Sequence, residues 1–493
     1  MRKKAANVLL SLLEQDQTQR VPLSLRLQNA VRRLIVDGHL AEGERLPSTR
    51  TMATDLGLAR DTIEAAYQHL EMEGFLERHM GSGTFVTASE HRFIGNRKGT
   101  GQRSVAGSAP RLNELSRRGQ AIARSGGVPD HASPKPFVVL PDVQSFPLEA
   151  WLKLNAKVIR SVKRETLLYA DPMGYPPLRE EIARYLSAHR GVECSADQIL
   201  VLNSSQQALG LIASLLMEPG ERVGLEEPGF HGARQVFCAA ALRLESIPVD
   251  EEGISSDRLE KLGSDIRAVY VTPSHQYPLG ATLSLQRRLA LVRWAERTRG
   301  WIIEDDYDSE FRYDGRPIAA IQSLAPSGRV LYVGTFSKVL FPGLRLAYLV
   351  LPPALVPAFV SARTLIDGHT AIISQAVLTE FMREGHFATH IRRMRQIYHA
   401  RRDAFAEAFE KHLSPFASMI FPSGGLHLTA LLSDEINEAS SVSAAARHAI
   451  ELPTLRRLYA ESKGRQGWLM GFAALPPGEA EKAMRKLAKA LQG

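Results

Sequence analysis

The sequence predicts a multidomain chain: a small α+β winged helix-turn-helix followed by a large α/β domain built on a mainly parallel sheet. Three observations predict it. The 493 residues exceed one ordinary domain. Two short helical patterns joined at Gly57 lead into a glycine-tipped strand pair before residue 88. Beyond residue 134, short apolar runs alternate with helical patterns, and polar residues gather where the runs end.

The first helix is predicted from Pro22 to Asp37, where Leu23, Leu27, Ala30, Val31, Leu34 and Ile35 recur at helical spacing before Gly38. Ser48 can cap a second helix with Met52, Ala53 and Leu56 on its apolar face. A third opens at Ala59-Arg60-Asp61-Thr62 and runs through Ile63, Ala66, Tyr67 and Leu70 to Gly74. Its start presents Arg60 and Thr62 where a recognition helix meets base edges and phosphates. Phe75 to Arg78 and Gly81 to Val86 read as the strands of a wing. Together Leu46-Pro47-Ser48, Arg50, Leu56-Gly57, Arg60, Thr62, Ala66-Tyr67, Glu73-Gly74 and Gly81-x-Gly83-Thr84-Phe85-Val86 resemble the GntR-type winged helix. The resemblance covers 18–87 and implies DNA contact by Arg50, Arg60 and Thr62, with Gly83 entering a minor groove. Arg45 is expected on phosphate.

Residues 88–134 lose hydrophobic periodicity and gain Gly, Ser, Pro and basic residues, the pattern of a linker. Arg111 to Ala123 within it is expected to form a short helix docking on either domain.

In the domain expected at 135–493, the run Val330-Leu331-Tyr332-Val333 ends at Gly334-Thr335-Phe336-Ser337-Lys338, with Arg345 seven residues on. A lysine past a strand end, beside hydroxyls and an arginine, suits an aldehyde cofactor that carries a phosphate. The amine can condense with the aldehyde while Arg345, Thr335 and Ser337 hold the phosphate. The strand Trp301-Ile302-Ile303 runs into Glu304-Asp305-Asp306-Tyr307. Asp305 or Asp306 can serve a pyridine nitrogen, and Tyr307 a ring hydroxyl.

These motifs resemble the fold-type I, class I/II aminotransferases, specifically the aminotransferase-like half of the MocR/GabR group of bacterial regulators, and imply pyridoxal 5'-phosphate (PLP). The group's Asp-x-Tyr pattern selects Asp305 with Tyr307. Further residues follow from the resemblance. Tyr169 is implied to reach the cofactor phosphate of a neighbouring subunit, and Phe230 to stack on the pyridine ring. Ser204, Ser205 and Gln206 open a helix whose backbone N–H groups suit phosphate. Tyr277 stands where aminotransferases place an asparagine, and His275 is a candidate for that polar role. Leu469 stands where they carry an arginine for the substrate carboxylate, and Arg456, Arg457 and Arg465 are open substitutes.

The charge of +8 and pI near 9.4 permit a nucleic-acid partner. Cys194 and Cys238 form no pair motif, which excludes a cysteine framework or zinc site and points to a cytoplasmic setting. The apolar run after Met1-Arg2-Lys3-Lys4 is short and lacks a signal cleavage site, and prolines interrupt Leu346 to Val360, so no membrane span is expected. His386 and His390 lack a third metal ligand, and the arginines from Arg392 to Arg402 read as a solvated basic face. The reading is a PLP-dependent regulator, a head-to-tail homodimer binding paired DNA half-sites and sensing an amine or amino acid. The alternatives are a working aminotransferase with an accessory DNA-binding module and a repressor with a cofactor-free sensor domain.

Overall fold

The computed structural model describes residues 21–87, 114–125, 136–315, 318–421, 423–460 and 464–492, in two compact units, Met1–Ala109 and Pro110–Gly493. The apolar run near the amino terminus and most of the expected linker lie outside the described residues.

In the first unit, helix Leu23–Val36 buries Leu27, Val31 and Leu34, the stripe its periodicity gives. Strand β1 (Arg45–Leu46) leads to helix Thr49–Leu56, whose first turn is capped by the Ser48 hydroxyl accepting from Thr51 N at 3.1 Å. Gly57 ends that helix at a φ of 65°. Helix Arg60–Met72 follows, then β2 (Leu76–His79) and β3 (Gly83–Val86), in the sheet order β1-β3-β2. Leu46, Met52, Leu56, Ile63, Tyr67, Leu70, Leu76 and Val86 close one core with the first helix. The two-residue β1 is too short to show alternation in sequence, and no strand was expected there.

The second unit opens with helix Arg117–Ser125, which packs on helix His231–Ala239 and so docks on the large unit. The large sheet comprises β4 (Ile199–Leu202), β5 (Arg222–Glu227), β6 (Arg243–Asp250), β7 (Gly253–Ile254), β8 (Ile266–Val271), β9 (Trp301–Asp306), β10 (Val330–Thr335) and β11 (Ala347–Val350). Their order is β4-β11-β10-β9-β8-β5-β6-β7, and β10, β9, β8, β5 and β6 pair in parallel. Leu200, Leu225, Tyr270, Ile303 and Val333 pack on one face, and Val201, Val271, Ile302 and Tyr332 belong to cores on the other. Such two-sided burial explains the nearly continuous apolar runs.

A second sheet of β12 (Ala417–Ile420), β13 (His427–Leu432) and β14 (Gly467–Gly471) is antiparallel. Helix His386–His412 departs from the solvated basic face expected of it. Arg395 donates to Glu310 O, Arg401 pairs with Asp142, and buried Arg402 pairs with Asp314 and Asp403. Sequence spacing alone did not show which arginines turn inward. Among the described residues, no helix is long and apolar enough to cross a membrane.

Candidate functional site

Parallel strands end together, and their carboxyl ends build a crevice. The register sets Val333 beside Asp305 and Val271 beside Glu304, so Thr272, Asp305 and Thr335 meet at one edge. A cavity of about 480 Å³ lies there, lined by Lys338, Asp305, Tyr307, Arg345 and Phe230 among others. Ser204, Ser205, Gln206, Thr335 and Ser337 line it as well. Ten of the twelve residues expected to touch a cofactor therefore converge.

Alternation along β9 sorts its neighbouring acids to opposite faces. Asp305 enters the cavity, where Tyr270 donates to its Oδ2 at 2.7 Å. Its Oδ1 is buried with no hydrogen-bond partner among the described residues. Burial raises its pKa to about 7, with Asp306 and Asp308 adding to the rise and the Tyr270 hydrogen bond opposing it. Asp306 turns the other way and pairs with Arg190 Nε at 2.8 Å.

Lys338 Nζ donates to Val139 O at 3.1 Å. Desolvation holds its pKa below the usual lysine range, opposed by Asp308, which favours the neutral, nucleophilic amine. Arg345 makes no ion pair among the described residues. Ser204 spends its hydroxyl on capping helix Ser205–Leu216, accepting from Gln207 N at 3.2 Å, which leaves that helix start facing the cavity.

Two expected residues stand elsewhere. Tyr169 is 98% exposed, away from the cavity of its own chain. His275 is buried behind Tyr307, with Nδ1 3.0 Å from the Tyr307 hydroxyl, so it reaches the cavity only through that ring. Of the three candidate arginines, Arg457 lines the cavity beside Leu469. Tyr270 was missed by sequence reasoning, although a tyrosine among the apolar residues of a buried strand was a signal that its hydroxyl needs a partner.

In the first unit, Arg32 pairs with Glu73, Arg33 with Asp37, and Arg78 with Glu64 and Glu71. Arg45, Arg50 and Arg60 are exposed and make no ion pair among the described residues, and Thr62 is half-buried one turn from Ala59. Arg45 crosses the wing, since a Cβ on Gly83 would sit 2.8 Å from its Nε.

Residues 139–487 match the model of the aminotransferase class I and II family, and residues 23–86 that of the bacterial regulatory proteins of the gntR family. A probable rhizopine catabolism regulatory protein, MocR of Rhizobium meliloti, is 36% identical over 475 residues, 96% of this chain and 94% of that protein. The chain belongs to the gntR-type regulators that carry an aminotransferase class I and II domain. The pyridoxine biosynthesis regulator PdxR of Corynebacterium glutamicum is 31% identical over 91% of each chain. A kynurenine aminotransferase of Pyrococcus horikoshii, solved with pyridoxamine phosphate (PMP), superposes on this regulator with a TM-score of 0.68. It is 26% identical and covers 80% of this chain and 96% of its own.

Proposed function

We propose that this chain is a PLP-dependent, DNA-binding transcriptional regulator whose large-unit cavity senses a small amine or amino acid. One observation carries the reading: Lys338, Asp305 and Arg345 share a cavity at strand ends, in a chain that also bears a winged helix with three exposed arginines that make no ion pair among the described residues.

The donor set fits the cofactor. The orphaned Asp305 Oδ1 suits a protonated pyridine nitrogen, and the rest of the set, with the helix start at Ser205, suits an aldehyde bearing a phosphate. When bound, PLP supplies an electrophilic carbon and an electron-withdrawing ring. Lys338 carries the reacting amine, and Asp305 holds a proton at the ring nitrogen. Phe230 would give an apolar surface for stacking, Arg345 would neutralise the phosphate, and Ser205, Thr335 and Ser337 would hydrogen-bond it. An effector amine would compete with Lys338, and Arg457 would take an effector carboxylate in place of an arginine at 469. Arg45, Arg50, Arg60 and Thr62 would contact DNA, with Gly83 at the wing tip.

Borohydride reduction followed by peptide mass spectrometry tests the assignment. Cofactor-saturated protein is expected to carry the modification on the Lys338 peptide, and Lys338→Ala to carry none. Saturated wild-type protein without that modification would refute the reading. A second reading, an aminotransferase with an accessory DNA-binding module, is favoured by the depressed pKa of Lys338, which suits a general base. Multiple-turnover amino transfer to a keto acid would establish it.

A further inference from the structure

Tyr307 has a buried neighbour pair that the cavity chemistry leaves unused. His275 Nδ1 is 3.0 Å from the Tyr307 hydroxyl and also 3.0 Å from Asp308 Oδ2, with Oδ1 at 3.3 Å. His275 is 4% exposed and Asp308 1%. A ring nitrogen of neutral imidazole carries one proton or offers one lone pair, not both. A bare Nδ1 beside an ionised carboxylate would oppose lone pair to lone pair, so one proton lies between them. Nδ1 is committed to Asp308 and has nothing left to accept the phenolic proton. Tyr307 also lines the main cavity, the side on which its hydrogen can be donated.

The surroundings fix which nitrogen is protonated. Nε2 of His275 is buried without a hydrogen-bond partner among the described residues, and His275 lines a second, water-sized cavity of about 10 Å³ together with Arg190, Ser309 and Arg312. A proton on Nε2 would have no acceptor among the described residues, whereas a proton on Nδ1 points at a carboxylate. Gly425 walls the pair in, because a Cβ there would lie 2.0 Å from His275 Cε1 and 2.8 Å from Asp308 Oδ2. The His427 ring closes another side, with its centroid 5.3 Å from that of His275.

We propose that Asp308 and His275 are positioning residues that keep the imidazole proton on Nδ1 and so oblige Tyr307 to donate its hydrogen bond into the cavity, toward an oxygen of the occupant. The inference rests on the PLP reading, in which that oxygen belongs to the ring hydroxyl.

The test uses the full chain loaded with PLP and follows the pH midpoint of its visible absorption band. His275→Gln, which sets no donor at the Nδ1 place, is expected to move the midpoint upward by roughly one unit or more. His275→Asn, whose amide nitrogen falls there, is expected to restore most of it. In a Tyr307→Phe background, His275→Gln is expected to add nothing. An unmoved midpoint, or equal shifts in both backgrounds, overturns the proposal. Nitrogen NMR of labelled histidine in the cofactor-free chain gives a readout that does not depend on the cofactor. A protonated Nδ1 supports the pair, and a protonated Nε2 overturns it. Failure to take up PLP would instead refute the cavity reading and leave the NMR result to judge the pair.

Discussion

Asp305 and Asp306 are adjacent in sequence and opposite in fate, because a strand sends successive side chains to opposite faces. Asp306 has a guanidinium partner, whereas Asp305 is buried with a free oxygen and a pKa near 7 against its ordinary 3.8. The folded chain therefore holds the Asp305 proton more tightly than the unfolded chain does. Its contribution to stability is full below about pH 4 and is lost as pH rises through about 7. Asp305→Asn, which cannot ionise, should raise the Tm of cofactor-free protein at pH 8 more than at pH 5, by a free energy on the order of a few kcal/mol. It should also weaken PLP uptake. Equal Tm changes at the two pH values would contradict the cause assigned to the shift. Arg457 supports a second test: Arg457→Met should abolish the spectral response to amino acids and spare that to amines without a carboxylate. Loss of both responses would assign Arg457 to the cofactor instead. That Lys338, Asp305, Ser205, Thr335 and Ser337 would share one cavity was legible because each follows its own strand or opens its own helix. The choice among Arg456, Arg457 and Arg465 was not, because it depends on how a loop folds back over strands far away in sequence.

At the scale of elements, the helix-turn-helix was legible almost to the residue. Its signals are local: a serine cap, a glycine stop and an apolar stripe. Removing the cap tests whether that local signal carries stability. Ser48→Ala should cost the first unit about 1 kcal/mol, read from chemical denaturation of the full chain followed by a probe in that unit. The start of helix Arg60–Met72 tests function separately. Arg60→Ala should weaken operator binding by roughly 1–3 kcal/mol with unchanged stability, measured at fixed salt. Unchanged binding would move base recognition off this helix. The inward arginines of helix His386–His412 were illegible for the opposite reason. Arg401 is satisfied by Asp142, and Arg402 by Asp314 as well as its neighbour Asp403. Asp142 and Asp314 are distant in the chain, so spacing within the helix carries no trace of those two pairs.

For the whole molecule, the exposed apolar surface of the second unit bears on assembly. Leu148, Leu152 and Ile159 lie on one face of helix Leu148–Ser161 and are each more than half exposed, and Leu168 and Tyr169 are more exposed still. A lone chain would leave these side chains in water. In the proposed head-to-tail homodimer they would be covered, and Tyr169 would supply the partner's cavity with the one expected phosphate ligand absent from its own chain. Two outcomes then become linked. Leu152→Glu should shift the protein from dimer to monomer in sedimentation velocity, and PLP affinity should fall with it. Tyr169→Phe should lower PLP affinity and leave the dimer intact. A monomeric Leu152→Glu protein with undiminished PLP affinity would place the whole cofactor site within one chain. If the linkage holds, loss of the dimer should also cost affinity for paired half-sites far more than for a single half-site, because the second winged helix then binds as a separate molecule rather than at the high effective concentration of a tethered one.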